Sequence, residues 1–288
     1  MEAIKGTRIW LLLLLFVMTF FAVPAAAQFD LSGTWTNLIH EDGAQYRLAG
    51  PNIGDYTGHP LNEAGRMRAN TWSASRETVP EFQCIPHPAT YWQNAGTVRI
   101  FPEVDNVTKD VAALRMEMHF FRSTRDIWLD GRPHPPEEAL HTWSGFSTGE
   151  WNGNMLTITT THLKEGRVSR NGIEHSDRAV LREHIFRHGD HLTWISVIFD
   201  PVYFDEPVIK TRTFVLDLGY ELTPYPCVAT VEIDRREGVM PHYLPGQNPS
   251  LHEWADKNGV PFDAAMGWTK TLLPEYRNEI KKKKASGK

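Results

Sequence analysis

Thirteen histidines lie in this 288-residue chain, most of them between His87 and His191. Imidazole titrates near neutrality and ligates metals, so these side chains are the first place to look for chemistry. His119, His162 and His184 fall in strand-like sequence, with Arg115, Glu117 and Arg182 close by. Residues two apart on a strand share a face, so His119 goes with Arg115 and Glu117, and His184 with Arg182. Turned inward, these faces would give an enclosed space acid–base groups, with a carboxylate to orient an imidazole. Glu117 or Asp130 would be that carboxylate, and Arg182 or Arg132 would hold an anionic group. Turned outward, they are ordinary solvated residues, and the sequence leaves both readings open.

A second grouping is the loop from Asp130 to Pro136, which carries Arg132 and His134 and leads to His141 and Trp143. Its prolines fix backbone angles, which suits either polar groups held in place or a rigid surface turn. His175-Ser176-Asp177 sets the residue types of a hydrolytic triad side by side, but a triad is assembled in space. No Gly-x-Ser-x-Gly elbow supports it. Zinc or iron would need three histidines, or two and a carboxylate. The chain has no His-x-His pair on a strand-like segment and no His-Glu-x-x-His. No cofactor is expected, and a metal remains the alternative. Gly-rich phosphate loops and dinucleotide fingerprints are absent, which argues against nucleotide-dependent redox chemistry.

Ten tryptophans, Trp143 and Trp194 among them, provide core or the lining for a flat, apolar ligand. Cys84 and Cys227 both sit in proline-rich sequence, and a disulfide is the expectation for two cysteines in an exported chain. A catalytic thiol, with His87 as its base, is the rival.

The elements that must position these groups are mostly strands. Val111 to Phe121 alternates, with Ala112, Leu114, Met116, Met118 and Phe120 on one side. Asn152-Gly153 predicts a hairpin between Phe146–Trp151 and Met155–Leu163. His188-Gly189-Asp190-His191 joins Ala179–Arg187 to Leu192–Phe199. Asp30–Thr36, Thr97–Phe101, Ile127–Leu129, Val208–Leu216 and Val228–Ile233 complete a set of about ten strands at short spacing. Leu61–Thr71 reads as a short helix entered at Asn62 or Pro60, residues 41–60 as a long loop, and Val79–Pro88 as irregular. Short helices end the chain: Leu251–Asn258, stopped by Gly259, and Asp263–Ile280, divided by Pro274. The set predicts a mainly β fold, an antiparallel barrel whose closure removes exposed edges, with a two-sheet sandwich as the alternative.

Residues 1–27 read as a signal peptide. Lys5 and Arg8 precede the uncharged run Ile9–Val23, and Ala25-Ala26-Ala27 offers a cleavage site. That run is shorter than the roughly 18–20 residues of a membrane span. The organisation is then a leader, a barrel domain over residues 28–245 and a C-terminal helical extension over 246–288. Cleavage leaves no stable membrane span, so the location is periplasmic or secreted. A net charge of −5 argues against a nucleic-acid partner. Lys281–Lys284 reads as a solvated tail, with anionic lipid or polymer as the alternative partner. Oligomeric state is not readable.

Gly33-Thr34-Trp35 resembles the Gly-x-Trp entry of lipocalin-like barrels, and the resemblance implies a Trp that closes one barrel end. Trp143–Asn154, with Asp130–Pro135 before it, resembles a group of uncharacterised exported proteins of environmental Gram-negative bacteria. That resemblance implies export and a β-rich fold, and carries no activity. The expected function is a barrel that binds a small apolar or aromatic ligand, held by Arg132, His134, His141, Trp143, Arg182 and Trp194. The alternative is a cofactor-independent lyase, hydratase or isomerase working through His119, His162, His184, Glu117 and Asp130. A surface that makes protein contacts is a third reading.

Overall fold

The computed structural model describes residues 30–38, 51–94, 96–223 and 227–285. The expected leader, with residues 28–29, 39–50 of the early loop, 95, 224–226 and the last three residues, lies outside these.

A closed barrel of nine strands forms the body of the fold. Its strands are β1 (Gly33–Asn37), β2 (Thr97–Val104), β3 (Val111–Met118), β4 (Thr124–Trp128), β5 (Phe146–Asn152) and β6 (Met155–Thr161). A two-stranded ribbon, β7 (Gly166–Arg167) and β8 (Glu174–His175), interrupts the series. The barrel then continues with β9 (Val180–His188), β10 (His191–Phe199) and β11 (Val208–Leu216). The ring closes where β1 pairs on one side with β2 and on the other with β11, Trp35 facing Val98 and Leu216. All barrel pairings are antiparallel except β4 with β5.

That one parallel pair explains the proline-rich loop. A parallel connection must carry the chain back along the barrel, which takes a dozen or more residues. Residues 129–145 make that return along the outer wall. His134 pins them there, its two ring nitrogens hydrogen-bonded to Thr148 of β5 (2.9 Å) and Thr161 of β6 (2.8 Å). Where β5 meets β4, Gly149 permits the close approach: a Cβ there would lie 2.8 Å from the Ile127 side chain.

The interior is filled by side chains. The alternation of β3 holds, with Leu114, Met116 and Met118 inward. Trp35, Trp194, Phe214, Met116 and Ile158 are each 0% exposed. Trp35 donates its indole N–H to the Leu31 carbonyl, and Arg187 lies over its ring. A buried 3₁₀ turn, Ala89–Asn94, plugs the opposite mouth. There Trp92 joins the barrel core, and Gln93 Nε2 donates to the carbonyl of Trp194 (2.8 Å).

A second core covers the plugged mouth. Leu181, Ile198 and Val208, from the strand ends, pack with Tyr56, Leu61, Phe204, Leu251, Ala265 and Met266. Helix α1 (Glu63–Asn70) belongs to this layer, capped by the Asn62 side chain on the Gly65 amide (2.9 Å). So do α3 (Glu253–Asn258), ended by left-handed Gly259, and α4 (Phe262–Ala265). The C-terminal extension therefore helps to cover a barrel mouth, while α5 (Pro274–Ala285), begun at Pro274, stays largely exposed.

Two expectations are corrected. Val79–Pro88 contains a short helix, α2 (Pro80–Gln83), with proline at the first helical position, where its missing N–H costs nothing. Val228–Ile233 is not a strand, because β1 and β11 already close the ring. The Gln83 side chain instead bonds the backbone of Thr230, accepting from its N–H (2.7 Å) and donating to its C=O (2.8 Å). Cys84 and Cys227 form a disulfide across a sequence separation of 143. A disulfide suits an oxidising compartment. Among the described residues no helix is long and apolar enough to cross a membrane.

Candidate functional site

The structure disperses the acid–base candidates. His184 and Arg182 lie on the outer face of β9, opposite in phase to buried Leu181, Glu183 and Ile185. His184 Nδ1 meets Thr157 Oγ1 at 3.1 Å on the neighbouring strand. His162, at a left-handed φ of 57°, bonds Thr161 Oγ1 (2.7 Å) and the Pro136 carbonyl (2.9 Å). Asp130 pairs with exposed Arg132, whose guanidinium stacks on Trp128. Only Glu117 and His119 come together, in a shallow groove beside Thr124 and Leu222.

The imidazoles of the crossover act as pins. The Pro136 carbonyl can only accept, so His162 donates to it from Nε2 while its Nδ1 meets Thr161 Oγ1. His134 bridges the two strands, with Nδ1 on Thr161 Oγ1 and Nε2 on Thr148 Oγ1. Burial, and then the nearby His162, lower the His134 pKa. His141 Nδ1 donates to the Leu163 carbonyl (2.9 Å). Among the described residues no group of three His, Cys, Asp or Glu could hold a metal ion.

The charged interior consists of residues the sequence reading missed. Arg125 of β4 and Glu183 of β9 form an ion pair with side chains 1% and 0% exposed. Arg125 also donates to Ser147 (2.9 Å) and Thr160 (2.5 Å), and Trp194 donates its indole N–H to Glu183 (2.9 Å). Trp194 is therefore a wall of this buried network. A sequence signal existed: Arg125 is in phase with Ile127, and Glu183 with Leu181 and Ile185.

His175-Ser176-Asp177 makes no triad. Ser176 donates its hydroxyl to Asp200 (2.7 Å), while His175 Nδ1 donates to the Ser176 carbonyl. Nearby, Lys210 donates to the carbonyl of Val168 (2.6 Å), and burial pushes its amine down to about 7. Burial, aided by the Lys210 charge, lowers His59 to about 4.

Outside the plugged mouth lies a cleft enclosing about 50 Å³. Trp72, Arg76 and Phe82 form one side, Glu165, Arg167, Arg170 and Glu174 of the ribbon region another, and Trp143, from the end of the crossover, a third. Gly172, at φ 97°, lets the ribbon sit against Trp72, where a Cβ would lie 2.7 Å from that side chain. Cys84 holds the Phe82–Pro86 wall to the late segment through its disulfide. The charges are interlocked. Glu174 accepts from Arg68 Nε (2.7 Å) and Arg76 Nη1 (3.2 Å), Arg68 also pairs with Glu165, and Arg167 pairs with Glu77 (2.9 Å). Burial raises the Glu174 pKa against the pull of Arg68 and Arg76.

No family model, curated protein or solved structure matches this chain. Its site is therefore read from its own geometry. The interior is packed, one mouth is plugged, and the lateral cleft is walled by indoles and guanidiniums. Glu174 is engaged by Arg68 and Arg76, and Glu165 by Arg68 and the Tyr203 hydroxyl.

Proposed function

We propose that this protein is an extracytoplasmic, lipocalin-like barrel, periplasmic or secreted, that binds a small molecule with an aromatic or apolar part. The ligand sits in the lateral cleft and not in the lumen. The observation that carries this is the combination of a barrel centre filled by fully buried Trp35, Trp194 and Phe214 with an open cleft flanked by Trp72, Phe82 and Trp143. Export rests on the leader-like residues 1–27 and on the disulfide. The lipocalin likeness rests on Gly33-Thr34-Trp35, although the nine strands and one parallel pair depart from the eight of that barrel.

Native mass spectrometry of protein recovered from its own compartment tests the reading. A retained small molecule is expected, and Ser169→Trp, which fills the cleft, should come out without it. A Ser169→Trp protein that keeps its ligand would place the site elsewhere.

A catalytic reading has one foothold, the groove shared by Glu117 and His119. It would gain if Glu117→Gln and His119→Gln each abolished a turnover detected in the wild type, and it fails if either variant keeps full rate.

A further inference from the structure

We infer that residues 228–232 form a free strand edge that pairs antiparallel with the same residues of a second copy of this chain, making a two-fold dimer. Val228, Thr230, Val231 and Ile233 are β-branched and suit a strand, but the closed barrel has no border left to take them. Residues 228–232 are all exposed, Val228 by 80% and Val231 by 74%. They are held to the body from one side. Cys227 is bonded to Cys84, and the adjacent Gln83 carboxamide accepts from the Thr230 N–H (2.7 Å) and donates to the Thr230 C=O (2.8 Å) and to Glu232 (3.2 Å). One amide reaches both backbone groups of a residue where that residue is extended, as in a hydrogen-bonded antiparallel pair.

The far side of the segment follows from peptide geometry. No described peptide bond is cis, and across a planar trans peptide the C=O and N–H point opposite ways. The Thr230 N–H points at Gln83, so the Ala229 C=O points away from it. The Thr230 C=O also points at Gln83, so the Val231 N–H points away. Neither group has a hydrogen-bond partner among the described residues.

This outer edge therefore carries an acceptor and a donor on either side of Thr230, which is its own complement. When Thr230 faces Thr230 of a reversed copy, each Ala229 C=O meets the other copy's Val231 N–H. That register sets Val228 opposite Glu232 and Ala229 opposite Val231, so no like charges face each other, and Thr–Thr is a favourable cross-strand pair. A register centred on Glu232 would instead put two carboxylates face to face. The same groups serve both copies, as an isologous interface requires. Gln83 occupies the inner edge and a bend at Ile233 ends the outer one, so pairing stops at two chains. A contact of five residues a side falls well below the roughly 800 Å² per partner of a standard interface, so the dimer is weak and concentration-dependent.

Sedimentation velocity on the full mature chain, from micromolar to near-millimolar concentration, tests this with Val231→Pro and Val231→Ala. Proline removes the outward N–H from both copies and disturbs no bond within the chain, so circular dichroism and melting should stay as in wild type. Wild type should pass from monomer to dimer as concentration rises. Val231→Pro should associate at least about tenfold more weakly. Val231→Ala, which keeps the N–H, should retain most of the association. In wild type, hydrogen exchange at the Val231 amide should slow as the dimer forms, a readout that holds even if the proline variant folds poorly. A wild-type monomer at every concentration would overturn the inference. So would a dimer untouched by Val231→Pro, an equal loss in Val231→Ala, or exchange at Val231 that ignores concentration.

Discussion

Removing one member of the Arg125–Glu183 pair should unfold the barrel far more easily than removing both. Both side chains are essentially without solvent contact, and their oxygens and N–H groups are shared with Ser147, Thr160 and Trp194. Glu183→Gln keeps an acceptor for the Trp194 indole but leaves a guanidinium charged inside an apolar barrel. Breaking a buried pair in this way costs about 3–5 kcal/mol. For a chain of this size each kcal/mol moves the melting point by roughly 2–4 °C, so the single variant should melt roughly 6–20 °C lower. Replacing the pair together, Arg125→Met with Glu183→Leu, exchanges two desolvated charges for packing. It should restore most of the loss or exceed wild type, as such exchanges are often neutral or stabilising by about 1–4 kcal/mol. Urea unfolding followed by circular dichroism and tryptophan fluorescence measures all three proteins. A single-variant loss below about 1 kcal/mol, the value of an exposed pair, would refute the reasoning. It would mean that water reaches the pair, and the lumen would again compete with the cleft as the place where a ligand sits.

Three further outcomes are expected. Reducing the disulfide, or Cys84→Ser with Cys227→Ser, should cost about 2–4 kcal/mol by denaturant midpoint and weaken cleft binding, because Phe82 and Pro86 flank Cys84. His59 has a folded pKa near 4 against an ordinary 6.5, so its neutral burial stabilises fully above pH 6.5 and is progressively lost as pH falls to 4. That loss approaches roughly 3 kcal/mol, and His59→Gln should flatten the corresponding part of a stability–pH profile. His134→Leu should remove two hydrogen bonds, cost about 1–3 kcal/mol, and expose residues 129–145 to limited proteolysis before the barrel itself opens.

How much of this was legible depended on whether the signal was local. The Asn152-Gly153 hairpin and the strand Val208–Leu216 were, because turn chemistry and alternation lie within a few residues. So was the α1 cap at Asn62. The parallel β4–β5 pair was not, since nothing in residues 129–145 marks them as a return path and not merely a loop. Val228–Ile233 misled because strand propensity does not report whether a partner edge is left. The site was hardest. The expected histidines sit wherever their neighbours need a donor or acceptor, whereas the cleft draws Arg76, Arg167 and Glu174 from segments that only the fold brings together. Trp143 alone joins the expected ligand contacts to the observed cleft.

Because the first barrel strand is hydrogen-bonded to the last, the cylinder has no finished wall until Val208–Leu216 has arrived. Before then an emerging polypeptide carries two raw sheet borders, at β1 and at β10, each able to recruit a stranger. Such a late, long-range seam makes for slow folding. Cys227 lies beyond the seam, so the covalent lock can be set only after the cylinder has its last stave. A stop codon placed a few residues before Val208 should therefore yield insoluble chains, whereas one placed just after Lys270 should leave a cylinder that still closes.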